Sequence, residues 1–272
     1  MGHPLGHRVG GGAEVLVIRR WLSLLLFIVV LNGGEPRLIA QADLTAGMGT
    51  ARRLELPVEN GVRALLAITL VPGNYAIRLL DQSPTFPVGA RTVAQTRALV
   101  PSAVVAINGG YFEPSFQPSG LVLVDGRELQ PRAAEGVLSG IVALDAAGVL
   151  RLLPRDADLG GVQSAIQAGP FIIDPGGLVG VRPRPALANR SVLALDDHGR
   201  VLLLATGSLT LHQLATVLHD HPQAFGMERI ERALNLDGGP STGLSSVLDG
   251  PGWSVAERGP VRNVLVVVPA QE

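Results

Sequence analysis

Two stretches of this chain end a buried-looking apolar run on polar residues and paired glycines. ALNLDGGPST (233–242) carries Asn235 and Asp237 up to Gly238 and Gly239, followed by Pro240, Ser241 and Thr242, and AVVAINGGYF (103–112) carries Asn108 up to Gly109 and Gly110. Side chains alternate along a strand, so Asn235 and Asp237 share one face while Leu234 and Leu236 face a core. A carboxylate so placed can take a proton or attack a carbon, carboxamides can orient hydroxyls, and glycines let a ligand reach backbone N–H groups with no Cβ in the way. Either motif alone also reads as an ordinary Asx-Gly turn. Two of them, each after a buried strand, point to a site. QAGPFIID (167–174) adds Gln167 and Gly169 beside another apolar run, and NRSVLALDD adds the permanent cation of Arg190 just before a strand, a position where an arginine is otherwise a surface charge.

These residues need strands to carry them, and the sequence supplies many. The runs 62–71 and 75–81, separated by Pro72, Gly73 and Asn74, predict a hairpin. The segments 120–129, 139–153 and 191–206 each read as two strands joined by a short Asp/Gly turn. A short helix is expected within 90–101, feeding the strand AVVAI. A longer helix is expected in SLTLHQLATVLHDHP (208–222), with Ser208 or Thr210 as N-cap, an apolar stripe through Leu211, Leu214, Ala215 and Leu218, and Pro222 beyond its end. RNVLVVVP closes the chain as a strand. The expected class is α+β: one β-rich domain over 43–272, with a large mixed or mostly antiparallel sheet and a few short helices.

The first 42 residues differ from the rest. Arg19 and Arg20 precede the apolar run WLSLLLFIVVL (21–31), which is short for a bilayer span, and Ala40 and Ala42 stand in an A-x-A arrangement. This predicts a secretory leader cleaved after Ala42, the other reading being a membrane anchor, and places the domain outside the cytoplasm, secreted or periplasmic. With a leader removed, no stable membrane insertion is expected. The chain has no cysteine, so neither disulfides nor thiolate metal sites are open to it. Its 272 residues are 47% apolar, its formal net charge is −1, and its basic residues are arginines without a single lysine, with no basic block that would predict nucleic-acid binding.

AVVAINGGYF, QAGPFII, NRSVLALDDHGRVLLL, the stretch from LATVLHDHP to NLDGGPST, and the terminal VRNVLVVV resemble, in order and spacing, the phosphodiester glycosidase family, which includes the uncovering enzyme that removes N-acetylglucosamine from its phosphodiester. One departure is Pro240, where the family usually has a third glycine before the serine; proline lacks an N–H and fixes φ. The resemblance implies hydrolysis of a sugar C1–O bond with a phosphate monoester leaving, on a glycosyl phosphodiester or exopolysaccharide substrate. A phosphate leaves readily, so one carboxylate suffices where an ordinary glycosidase uses two. Asp237 is then the expected base or nucleophile and Arg190 the phosphate clamp. Asn108 and Asn235 would orient the sugar, with the amides of Gly109, Gly110, Gly238 and Gly239, together with Ser241 and Thr242, cradling the anion; Gln167 and Gly169 complete the expected binding set. Glu113 and Asp174 are candidates for a second acid. No metal or cofactor is expected, and the pair in HDHP (219–222) reads as cations at a helix C-terminus. Two other functions stay open on the same residues: a metal-dependent phosphodiesterase that breaks P–O, and a sugar-phosphate binding module without turnover.

Overall fold

The computed structural model describes residues 34–82, 90–248 and 250–270. The leader and its apolar run lie outside the described residues up to position 33. All strand pairs in the described part are antiparallel, and they form three sheets in place of one large one. The first has eight strands in the order β1 (Arg37–Asp43), β2 (Gly49–Val58), β3 (Gly61–Leu70), β14 (Val201–Leu209), β13 (Ala188–Leu195), β15 (Arg232–Asn235), β11 (Phe171–Asp174) and β12 (Leu178–Val179). The second runs β7 (Arg127–Gln130), β6 (Val122–Val124), β10 (Ser164–Ala168), β8 (Gly140–Leu144) and β9 (Leu150–Pro154). The third runs β17 (Ser254–Val255), β16 (Leu244–Ser246), β5 (Val105–Asn108), β18 (Asn263–Pro269) and β4 (Tyr75–Asp81).

The three Asp/Gly units form the expected hairpins β6–β7, β8–β9 and β13–β14. The expected hairpin across Pro72–Asn74 does not form. There β3 pairs with β2 and β14, and β4 with β18, so residues 71–74 carry the chain from one sheet to another. Both strands are apolar on the faces that meet other elements, and a local turn signal does not say which partner a strand will find. Alternation does hold where it matters. Leu193, Leu203, Leu234 and Leu236 pack with Ile107, Val142, Ile166 and Leu265 in a core shared by all three sheets.

The opposite face of the first sheet is covered by α2 (Leu211–Asp220), whose Leu214, Val217 and Leu218 meet Val192, Leu202, Leu204 and Phe225. Thr210 caps this helix: its hydroxyl accepts from the Gln213 N–H, while the Gln213 side chain accepts from the Thr210 N–H. The shorter α1 (Val93–Ala98) has the same capping box through Thr92 and Gln95. Among the described residues no helix is long and apolar enough to cross a membrane.

Candidate functional site

Asn108 ends β5 and Asn235 ends β15, strands of different sheets, and the two Gly-Gly corners meet. The Asp237 N–H donates to the Gly109 carbonyl at 3.0 Å, and Asn108 Nδ2 donates to the Asp237 carbonyl at 2.8 Å. Asn108 Oδ1 in turn accepts from the Ser191 hydroxyl at 2.6 Å and the Gly243 N–H at 3.0 Å. With both oxygen lone pairs engaged and a side chain only 1% exposed, Asn108 ties Asp237 in place and offers little to a ligand.

The glycines serve the same junction. The Gly109 N–H donates to the Asn263 carbonyl (2.9 Å), the Gly110 N–H to Asn263 Oδ1 (2.8 Å) and the Gly238 N–H to Asp237 Oδ1 (2.9 Å). Those three amides are therefore spent within the protein, and the residues are glycine for close approach: a Cβ at Gly109 would lie 2.0 Å from Asn263 Oδ1, and one at Gly238 2.7 Å from the Asn189 carbonyl. Gly239, at φ +59°, opens a single 3-10 turn, Gly239–Ser241, that accommodates Pro240. Thr242 is buried there, its hydroxyl without a partner among the described residues.

Asp237 is half-buried at this corner. Burial pushes its carboxyl up to about 6 from the usual 3.8, only partly opposed by hydrogen bonds from Ser241 and the Gly238 N–H. A carboxyl held near 6 is mostly ionised at neutral pH yet basic enough to take a proton, the balance that general-base work needs.

Beside the corner opens a cavity of about 420 Å³, lined among others by Tyr111, Gly169, Arg190, His212 and Asn235. The Tyr111 hydroxyl donates to the Gly169 carbonyl at 2.9 Å and accepts from Asn235 Nδ2, which also faces the Gly169 (3.1 Å) and Leu236 (2.8 Å) carbonyls. Asn235 Oδ1 is a buried acceptor without a partner among the described residues. Tyr111 feels both Asp237 and Arg190: burial first, then the Asp237 carboxylate, pushes its phenol upward, while Arg190 and the Asn235 bond oppose them. Arg190 donates through Nε to the Leu209 carbonyl (3.0 Å) and through Nη2 to the Ala186 carbonyl (2.7 Å), which fixes the guanidinium plane and leaves Nη1 without an acceptor among the described residues. Desolvation by burial lowers its pKa, opposed by Tyr111.

The N-terminus of α2 is also at this wall, since Leu211 and His212 line the cavity. As the first two residues of the helix their N–H groups have no intrahelical acceptor, and they add partial positive charge to that of Arg190. Arg182 and Arg184 stand in the lining as well, and among the described residues the charged side chains there are all arginines. Asp237 is adjacent to the cavity and not part of its lining.

Other residues singled out by sequence are placed elsewhere. Gln167 is 2% exposed with its hydrogen-bonding capacity filled: Oε1 accepts from the Leu121 and Ala133 N–H groups, and Nε2 donates to the Ala133 and Leu138 carbonyls. It staples the 131–138 loop to β10. Glu113 is exposed and accepts from the Ser119 hydroxyl, Asp174 is exposed at the end of β11, and neither lines the cavity. Among the described residues, Asp196, Asp197 and His198 are close enough together to hold a metal ion, but they form the β13–β14 turn at the opposite end of β13 from Arg190. Sequence reasoning missed Tyr111, His212, Arg182 and Arg184 as cavity residues. Tyr111 was within reach as the aromatic of NGGYF, and the arginines as the run VRPRP just before the Arg190 strand.

The family described as phosphodiester glycosidase matches residues 101–268, more than half of the chain and all of the site just described. The chain belongs to the phosphodiester glycosidase family. Solved structures of similar fold include the catalytic domain of zebrafish N-acetylglucosamine-1-phosphodiester alpha-N-acetylglucosaminidase auto-inhibited by its pro-peptide, at 16% identity and a TM-score of 0.58, over 90% of this chain and 91% of that one. A hypothetical protein from Synechocystis matches at 19% identity and a TM-score of 0.53, over 81% of this chain and 62% of the other. A protein assigned as exported from Burkholderia pseudomallei matches at 17% and 0.52, over 78% and 75%. At these identities the likeness is one of fold. No curated protein matches the chain.

Proposed function

We propose that the protein is an exported glycosidase that hydrolyses the sugar C1–O bond of a glycosyl phosphodiester, releasing the sugar and a phosphomonoester. The observation that carries this reading is the pairing of one carboxyl, Asp237, raised to about 6, with an adjacent cavity whose charged lining, among the described residues, is all arginine. In the reaction, Asp237 either takes a proton from the water that attacks C1, or attacks C1 itself to form a glycosyl ester that water then cleaves at C1, releasing the sugar and restoring the carboxylate. The electron pair of the C1–O bond passes to a phosphate oxygen, and Arg190 with the first amides of α2 stabilises the charge that arrives there. Tyr111, which lines the cavity, orients the sugar, and the buried Asn235 holds the Tyr111 hydroxyl in place through Nδ2. Asn108 and the glycine corners hold Asp237 and do not themselves touch the substrate.

The bond that breaks is decided by isotope. Hydrolysis in ¹⁸O water should place the label on C1 of the released sugar and none on the phosphomonoester; label in the phosphate would establish a phosphodiesterase instead. Because the ionised form of Asp237 is the active one, kcat/KM should rise with pH along a limb centred near 6. A profile flat from pH 4.5 to 8 would detach Asp237 from the chemistry.

Export rests on the Arg-Arg, apolar run and A-x-A order of the first 42 residues. Ala40 and Ala42 lie in β1, an edge strand mostly exposed along its length, so cleavage after Ala42 leaves β2 as the sheet edge. Mass spectrometry of the exported protein gives its first residue, and a start at Met1 or Gly2 would overturn cleavage there.

A further inference from the structure

We propose that the substrate's aglycone carries a second anionic group beyond the phosphodiester, received by Arg182 and Arg184 on a rigid strap across the cavity mouth. The inference rests on the glycosyl phosphodiester reading above. Residues 180–187, GVRPRPAL, join β12 to β13 without regular structure. Pro183 and Pro185 have φ fixed by their rings and hold the preceding Arg182 and Arg184 out of the helical region, so the segment is extended by its own chemistry. Extended backbone has a side-chain period of two, and over 182–186 the lining follows it: Arg182, Arg184 and Ala186 line the cavity and Pro183 and Pro185 do not, while Gly180 and Val181 line it at the anchored end of the strap.

The strap is tied to the site at both ends. Arg190 Nη2 donates to the Ala186 carbonyl at 2.7 Å, His212 Nδ1 lies 3.0 Å from the Val181 carbonyl, and the Gly180 N–H donates to the Ile172 carbonyl at 3.0 Å. The arginines it displays have no acid to meet. Unpaired arginines are common on this surface, but Arg182 and Arg184 stand together in a cavity wall where, among the described residues, no carboxylate takes part in the lining.

A phosphodiester carries one negative charge, and Arg190 with the α2 N-terminus already answers it. Two further guanidiniums with permanent charge and fork geometry fit an additional phosphate or carboxylate. With the sugar at the Asp237 and Tyr111 end, a group on the far side of the phosphate belongs to the aglycone. The substrate class is therefore a polyanionic glycosyl phosphodiester, such as a repeating glycosyl phosphate polymer or an acidic polysaccharide bearing the ester.

The test compares two substrates with the same sugar and phosphodiester, one with a methyl aglycone and one whose aglycone ends in a phosphate monoester; a third ending in a carboxylate distinguishes the two anion sources. The expected result is kcat/KM about tenfold higher for a charged aglycone at low salt, the ratio falling towards one in the R182A/R184A double variant and largely retained in R182K/R184K. A ratio near one in the parent protein, with methyl ester turned over, overturns the second anion site and leaves the glycosidase reading standing. Turnover of none of the three overturns the glycosidase reading, and calorimetry then judges the strap directly: pyrophosphate binding about tenfold tighter than orthophosphate, with the difference lost in R182A/R184A, supports it, and equal binding overturns it.

Discussion

Asp237→Asn is expected to lower kcat by about 10²- to 10⁴-fold, the range supplied by a positioned general base, with KM little changed. Asparagine keeps the Oδ1 that accepts from the Gly238 N–H and removes only the ionisation. The same substitution has a signature in stability. The folded carboxyl sits at about 6 and the unfolded one near 3.8, so between those values the folded state holds a proton that the unfolded state has released. Asp237 therefore contributes most below about pH 4, and its contribution is lost as pH rises through 6. The asparagine variant should consequently melt above the parent at pH 8 and alongside it at pH 4. A fully active variant would take Asp237 out of the mechanism, and a melting difference that grew toward low pH would contradict the raised pKa.

Asn108→Ala is expected to destabilise the fold by about 3 kcal/mol or more. It strands the Ser191 hydroxyl, the Gly243 N–H and the Asp237 carbonyl, and a buried group left without its partner costs about 1–3 kcal/mol. Denaturant titration should show a lower midpoint at unchanged slope. Activity should fall too, because Asp237 loses one of its two backbone anchors to β5. If stability stayed within about 0.5 kcal/mol of the parent while turnover vanished, Asn108 would be a substrate contact and not a latch.

The strand ends were legible because alternation and glycine pairs are local signals, and both Leu234 and Leu236 are buried as alternation requires. What the amides of Gly109, Gly110 and Gly238 do was not legible, since their acceptors are Asn263, about 150 residues along the chain, and the Asp237 carboxylate. Gln167 illustrates the same limit: a carboxamide beside a glycine has the same sequence appearance whether its partners are a ligand or four backbone groups. The false hairpin at Pro72–Asn74 arose because turn residues reveal a reversal of direction but not a change of sheet. Arg182 and Arg184 carry no local signal beyond a proline-rich stretch, and only the placement of that stretch beside Tyr111 and His212 gives them a cavity to face.

The reciprocal bonds between Asp237 and the Asn108–Gly109 corner make the reactive carboxylate a property of two sheets docked together. The amide hydrogen of Asp237 should then exchange with solvent only when the protein opens as a whole, at a rate matching the slowest core strands. On the proposed function, loss of turnover on heating would coincide with cooperative unfolding, with no range of temperature over which the protein is folded but switched off.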